Sequence, residues 1–408
     1  MRKGIALASV AALALTGLAA CGGSNDPATD PSTSGSGSEL TVWVDQDRMA
    51  VVQEAADKFQ AETGNTVTLV QKNNDDLQTD FVTQVGQGSG PDITVGAHDW
   101  LGNLLQNGVV QPIDMAGAES DYQDVAIAAF SQDGQLYGVP YAVENIALIR
   151  NTDLAPTAPK TWDEAVAAGA AAGTAYSILI QTGETGDPYT YYPLQMSFDA
   201  PVFETNSDGS YKETLALGGA NGEAFANWLA SQGPNGTKVL DTSITYDIAV
   251  EQFKNGNAPF IVGGPWMIDA FNEAGVKVAV DPIPAPGPKA AVPFVGVQGF
   301  YISSKSANPL VAQQFLLDYI GTVDVQVALF NVGNRTPALT AAADQVSSDP
   351  VVAGFAAVAE DAVPMPSIPA MTEVWTYWGV TEAGIITGAQ APVEAWQKMV
   401  SDIEGAIG

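Results

Sequence analysis

Between residues 40 and 95, short apolar runs alternate with stretches of helical periodicity, and this alternation restricts the possible folds more than any other feature of the chain. Leu40-Thr41-Val42-Trp43-Val44 reads as a buried strand. Val52, Ala55, Ala56 and Phe59 then recur on one helical face, which Gly64 stops. Val67 to Val70 is a second strand. Leu77, Phe81 and Val85, four residues apart, mark a second helix, and Gly90-Pro91 breaks the chain before a third strand, Asp92 to Val95. Strand, helix, strand, helix, strand is the pattern of an α/β protein with a parallel sheet and right-handed crossovers. Ligands of such sheets bind beyond the carboxyl ends of the strands. Those ends fall at Asp45–Arg48, Val70–Asn74 and Gly96–Trp100.

The same reading continues down the chain. Asp133-Gly134 predicts a hairpin turn, followed by an extended run from Tyr141 to Arg150. Helices are expected over Thr161 to Ala172, around Phe225 to Leu229 and around Ala249 to Phe253. Strands are expected at Phe260 to Val262, Lys277 to Val280 and Phe300 to Ser303. Asn308 is placed to cap a helix with Pro309 at its first position and Ala312, Phe315, Leu316 and Tyr319 inward. The last hundred residues are mainly helical.

The 408 residues carry 46 acidic and 15 basic side chains, a formal charge of −31, which argues against nucleic acid and anionic lipid as partners. A single cysteine excludes an intramolecular disulfide. With one histidine as well, Cys₄ and Cys₂His₂ zinc sites are excluded and any transition-metal site is poor; no cofactor is expected. A Ser-His-Asp or Cys-His arrangement could draw only on His98, which reads as a packing residue.

The N-terminus sets the compartment. Arg2 and Lys3 precede an apolar stretch, Gly4 to Gly17, too short for a membrane span, and Leu18-Ala19-Ala20-Cys21 follows. This is a lipobox. Residues 1–20 read as a lipoprotein signal peptide, Cys21 as the lipidated residue, and 21–37 as a Ser/Gly/Asp-rich flexible tether. The expectation is an exported domain held on the outer face of the cell membrane through that anchor only.

Seven further segments carry a resemblance: GSGPDITVGAHDWLG (88–102), YGVPYAVENIALIRNTDL (137–154), KTWDEA (160–165), DPYTYYP (187–193), GGPWMIDAF (263–271), PFVGVQGFYIS (293–303) and MPSIPAMTEVWTYW (365–378). In this order and spacing the chain resembles the extracellular solute-binding proteins of ABC sugar importers, in the maltose/maltodextrin-binding branch. The resemblance implies a two-lobed, periplasmic-binding-protein-like (Venus-flytrap) α/β fold. It implies one lobe of residues 38–143 plus 300–345, another of 148–294 plus 351–408, and hinge crossings near 143–147, 295–299 and 346–350. It implies a monomer that passes an oligosaccharide, of a maltose-like α-glucoside type, to a membrane permease.

A sugar offers hydroxyls to planar carboxylate and guanidinium groups and a C–H face to aromatic rings. The residues that the resemblance assigns to ligand are Asp47 and Arg48, Asp99, Asp187, Tyr189, Trp266 and Trp375; Glu144 joins them as an acid on an otherwise apolar hinge-crossing run. Met365 lines the same groove. There are departures. Gly96 stands where relatives have an aromatic, which moves a stacking platform to Trp100. Gly379 replaces a guanidinium clamp. Thr376 replaces a tyrosine, and Tyr377 and Trp378 beyond it are taken as further ligand contacts. Two alternatives stay open: a binding protein for a non-glucan sugar or other small ligand, and a surface glycosidase with Glu144 and Asp187 as its carboxylate pair.

Overall fold

The computed structural model describes residues 37–207 and 210–408; the signal peptide, Cys21 and the tether lie outside them up to residue 36. Strand β1 (Glu39–Val44), helix α1 (Met49–Thr63), β2 (Thr66–Gln71), α2 (Asn74–Gly86) and β3 (Ile93–Ala97) follow in the order the sequence predicts. β1 lies between β2 and β3 and pairs parallel to both. α1 buries Val51, Val52, Ala55, Ala56 and Phe59, and complete burial of a side chain such as Phe59 contributes about 1.5–3 kcal/mol.

Beyond β3 the sheet turns antiparallel. Strand Phe294–Ile302 pairs with β3 on one side and with Gly138–Asn145 on the other, both antiparallel, so the seven-stranded sheet is mixed rather than parallel throughout. Thr336–Pro337 closes its far edge, and Val363–Pro364 joins the start of Phe294–Ile302. That central strand begins six residues before the predicted Phe300. Gly296 and Gly299 weaken its signal in sequence, and partners on both sides hold it extended in the fold. A second sheet of three antiparallel strands has Ala147–Asn151 between Phe260–Gly263 and Val278–Asp281.

The hydrophobic cores follow these sheets. One gathers Leu40 to Ala142 and Val297 to Ala342. A second takes Ile146 to Phe294 and Met365 to Ile403. A smaller third packs Ala147, Ile261 and Phe271 against Phe355 and Val358. Asn308 does hold the N-cap position of helix Pro309–Phe315, but its side chain makes no cap hydrogen bond; its Nδ2 donates to Glu39 O at 3.2 Å instead. The C-terminal part is helix-rich, ending in Met371–Ile386 and Pro392–Ile407.

Candidate functional site

A cleft of about 1060 Å³ opens beyond the carboxyl ends of β1 and β2. Five residues that the sequence reading assigns to ligand line it together: Asp47, Arg48, Glu144, Asp187 and Trp266. Asp45 and Lys72, which fall in the predicted strand-end segments without being singled out as ligand residues, line it too, as do Gln181, Gln298 and Arg335, which the sequence reading passed over.

The near wall is organised by Asp45. Its Oδ1 accepts from the backbone N–H of Asp47 at 3.0 Å, and its Oδ2 accepts from Arg48 Nη1. Arg48 Nε donates to the Tyr141 hydroxyl, with the guanidinium carbon 5.4 Å from that ring's centroid. The acid paired with Arg48 is therefore Asp45, buried beside it, and not Asp47, which is exposed at the cleft. Asp45 lies in the same turn as the predicted pair, at the first position past β1.

Glu144 sits near the end of Gly138–Asn145, facing Gln298 and Arg335. Gln298 Nε2 donates to its Oε1 at 2.8 Å and Arg335 Nε to its Oε2 at 2.5 Å. Across the cleft, Asp187 is the N-cap of helix Pro188–Met196. Its carboxylate accepts from Thr190 N at 3.3 Å, Thr190 Oγ1 at 2.8 Å and Gln181 Nε2. Burial raises the Asp187 pKa, and these donors act in the opposite direction.

Asp99 and Tyr189 stand next to this cleft rather than on its lining. Burial pushes the Asp99 carboxyl up to about 7; the charge of Glu144 adds to the rise and a hydrogen bond from Trp375 opposes it. Burial also raises Tyr189 well above the usual phenol value, and the charges of Glu144 and Asp187 contribute. Asp99 Oδ1, Tyr189 OH and Gln181 Oε1 are buried with no hydrogen-bond partner among the described residues. Buried polar atoms in folded proteins are overwhelmingly paired, so three orphans in one neighbourhood ask for a polar ligand.

The aromatic residues divide. Trp375, half-buried, lies stacked on Trp378 with centroids 5.6 Å apart and planes at 26°. Trp378 itself has no exposed surface, and its indole N–H donates to Gln195 Oε1 at 3.1 Å. It belongs to the core, which corrects the expectation that it meets ligand. Met365 is likewise a buried core residue and is off the cleft lining; its carbonyl accepts from His98. Tyr377 packs against the second core and lines no part of the cleft. Trp100 lies over Gly96, where an added Cβ would stand 2.3 Å from the indole, so its ring fills the space a side chain at 96 would take; it too is off the cleft lining. Gly379 has no room for a guanidinium, because a Cβ there would stand 2.5 Å from Thr185 O.

His98 bridges segments far apart in sequence. Val297 N–H donates to its Nδ1 at 3.0 Å and its Nε2–H donates to Met365 O at 3.0 Å, which fixes the neutral tautomer. Among the described residues no group of three His, Cys, Asp or Glu side chains is placed to hold a metal ion.

Two α/β cores flanking a polar cleft of paired carboxylates and aromatic rings define a solute-binding protein, and the chain belongs to the bacterial extracellular solute-binding protein family, which matches residues 54–354. Its fold is the two-lobed one of the periplasmic binding proteins. The Thermus thermophilus maltotriose binding protein, solved bound with maltotriose, superposes with a TM-score of 0.83 at 30% identity, covering 90% of this chain and 100% of that one. In sequence the chain is 30% identical over 390 residues to the maltodextrin-binding protein MdxE of Bacillus subtilis, covering 92% of this chain and 90% of the relative. It is 29% identical over 389 residues to a maltooligosaccharide ABC transporter solute-binding lipoprotein of Streptococcus pneumoniae serotype 4, covering 91% and 90%.

Proposed function

We propose that this protein captures a neutral oligosaccharide, of the malto-oligosaccharide type, between its two lobes and delivers it to the membrane subunits of an ABC importer. The observation that carries the reading is the set of unpartnered polar atoms on Asp99, Tyr189 and Gln181 beside the paired carboxylates of Glu144 and Asp187. Sugar hydroxyls both donate and accept, so they suit carboxylates, a phenol and an amide at once. Trp375 is off the cleft lining, but it stands beside Asp99 and is backed by Trp378, and we assign its free face to a sugar ring. The lining carries six carboxylates against three cations, and each cation has an acidic partner: Asp45 for Arg48, Asp80 for Lys72 and Glu144 for Arg335. That balance favours a neutral ligand over an anion.

The lobes are assigned to 38–143 plus 300–345 and to 148–294 plus 351–408, with crossings near 143–147, 295–299 and 346–350. The membership of the cores supports this division, since buried residues change core between Ala142 and Ile146 and between Phe294 and Val297. Ligand bridging Asp47, Arg48 and Asp99 on one side to Asp187 and Tyr189 on the other would favour closure, because only contacts that differ between open and closed forms shift that equilibrium. The protein acts as a monomer, exported and anchored through Cys21; the word lipoprotein in the name of the pneumococcal relative supports the anchor. Binding is favoured over hydrolysis because Glu144 and Asp187 are each engaged by neighbouring side-chain donors.

The test is thermal unfolding with maltose, maltotriose, maltotetraose and a set of β-linked oligosaccharides. At a ligand concentration a hundredfold above Kd, a ligand that binds only the folded form adds about 2.7 kcal/mol. The expected outcome is a rise in Tm with the α-glucans and a change in tryptophan fluorescence. No response to any oligosaccharide overturns the sugar assignment. Release of reducing ends from maltotetraose overturns the choice of binding over hydrolysis.

A further inference from the structure

Arg335 stands between helix Val323–Gly333 and strand Thr336–Pro337. That strand pairs with Gly138–Asn145, Thr336 opposite Val143, which brings residue 335 beside Glu144. Its Nε donates to Glu144 Oε2 at 2.5 Å, and its guanidinium carbon lies 5.2 Å from the centroid of the Trp266 ring. Glu144 belongs to the seven-stranded sheet, whereas Trp266 packs against the second and third cores. One side chain thus reaches across the cleft.

The other two arginines of the described residues are used differently. Arg150 commits all three nitrogens to protein: Nε and Nη2 to Asp281 and Nη1 to the carbonyl of Ala155. Arg48 commits Nε to Tyr141 and Nη1 to Asp45. Arg335 commits Nε alone. Its two terminal nitrogens have no protein acceptor among the described residues, although its side chain is only 13 % exposed and lines the cleft. These nitrogens open onto the cleft, where an acceptor on a ligand can replace the water that otherwise meets them. The neighbouring Asn334 Nδ2 is buried and unpartnered as well.

We propose that Arg335 is a specificity-determining residue that contacts the ligand directly. Carried on the Trp266 ring and oriented by Glu144, its guanidinium presents two parallel N–H donors to a pair of adjacent hydroxyl oxygens on one sugar ring. Trp266 then holds the arginine rather than a sugar, which changes the role that the resemblance assigns to it. The planar fork matches paired oxygens in a way that an ammonium does not. The ligand selected is a neutral oligosaccharide with a free vicinal diol at this end of the cleft. The inference rests on the oligosaccharide reading above.

The experiment is a double-mutant cycle on the full folded protein, R335A, W266A and both together, with R335K as the variant that keeps a cation beside Glu144. Calorimetric titration with maltotriose is expected to weaken 10- to 100-fold in R335A and to recover only in part in R335K. The double variant should be no weaker than R335A alone, because the tryptophan acts through the arginine. R335A binding as tightly as wild type, or losses that add across the cycle, would overturn the proposal. A second readout needs no ligand: acrylamide quenching of tryptophan fluorescence should rise from wild type to R335A and not from W266A to the double variant. Unchanged quenching overturns the placement of Arg335 on Trp266 whatever the protein binds. A wild type that binds no oligosaccharide while the quenching difference holds removes the sugar reading and, with it, the role in hydroxyl recognition, but leaves the arginine–tryptophan contact standing.

Discussion

His98 and Asp99 are adjacent in the chain, and burial moves their ionisation in opposite directions along the pH scale. His98 falls from 6.5 to about 4, because burial disfavours the imidazolium. The unfolded state therefore takes up a proton below about pH 6.5 that the folded state refuses until about 4, and stability is lost as the pH falls through that window. Asp99 rises to about 7. The folded state holds a proton there that the unfolded state gives up near 3.8, so stability is lost as the pH rises from 3.8 to 7. Asp99→Asn removes the second effect alone. The variant should be more stable than wild type at pH 8, by on the order of 2–4 kcal/mol, and the advantage should vanish at pH 4; an advantage that does not change with pH contradicts the assignment. At this scale the sequence was legible where a residue lies in a local motif. Asp187 before Pro188 is a helix start, and it is the N-cap. Arg335 was not legible, because its meeting with Glu144, 191 positions away, depends on a strand pairing that no local pattern encodes. Trp378 carried a readable signal: it falls with Met371 and Val374 on the buried stripe of their helix.

Among the elements, the alternating strands and helices from β1 to β3 follow directly from their periods of two and 3.6, which is why that part of the fold could be read in advance. The crossing strand Phe294–Ile302 could not be read in full, since its extension is imposed by neighbours on both sides and broken by a register shift between Gln298 and Gly299. The helix Met371–Ile386 shows a second non-local constraint. At Gly379 it meets the loop through Thr185 and Gly186 backbone to backbone, a Cβ at 379 standing 2.5 Å from Thr185 O. Gly379→Ala should cost about 1–3 kcal/mol by forcing the loop and helix apart. Gly405→Ala is the control: it lies within helix Pro392–Ile407 with nothing near an added Cβ, and it should stabilise by about 0.5–1 kcal/mol. Equal effects of the two substitutions in urea unfolding would contradict the close packing.

For the whole molecule the two lobes are joined by a strand they share. Phe294 packs in the second core, while Val297, Phe300, Tyr301 and Ile302 pack in the first. The net charge of −31 is mostly a property of the surface and keeps the molecules apart in solution. The acids that meet the cleft are few, and three of its six are held by the ion pairs and hydrogen bonds that shape it. The lobe architecture was legible through the resemblance of ordered segments rather than through composition, because composition does not say which segments cross between lobes.

The shared strand has a consequence for how the chain is made. Strand Gly138–Asn145 and β3 do not pair with each other; Phe294–Ile302 lies between them and bonds to both. Until that strand has left the ribosome, both neighbours present unpaired edges and the first core lacks its middle. Contacts so distant in sequence form slowly. A nascent chain ending before Phe294 should therefore remain protease-sensitive throughout, and resistance of residues 38–143 in such a truncation would show the first lobe to be self-sufficient. Protease sensitivity of that truncation would mean that the first lobe completes only once the chain through Ile302, about three quarters of its length, has been synthesised, leaving it unfolded for an export machinery that threads polypeptide.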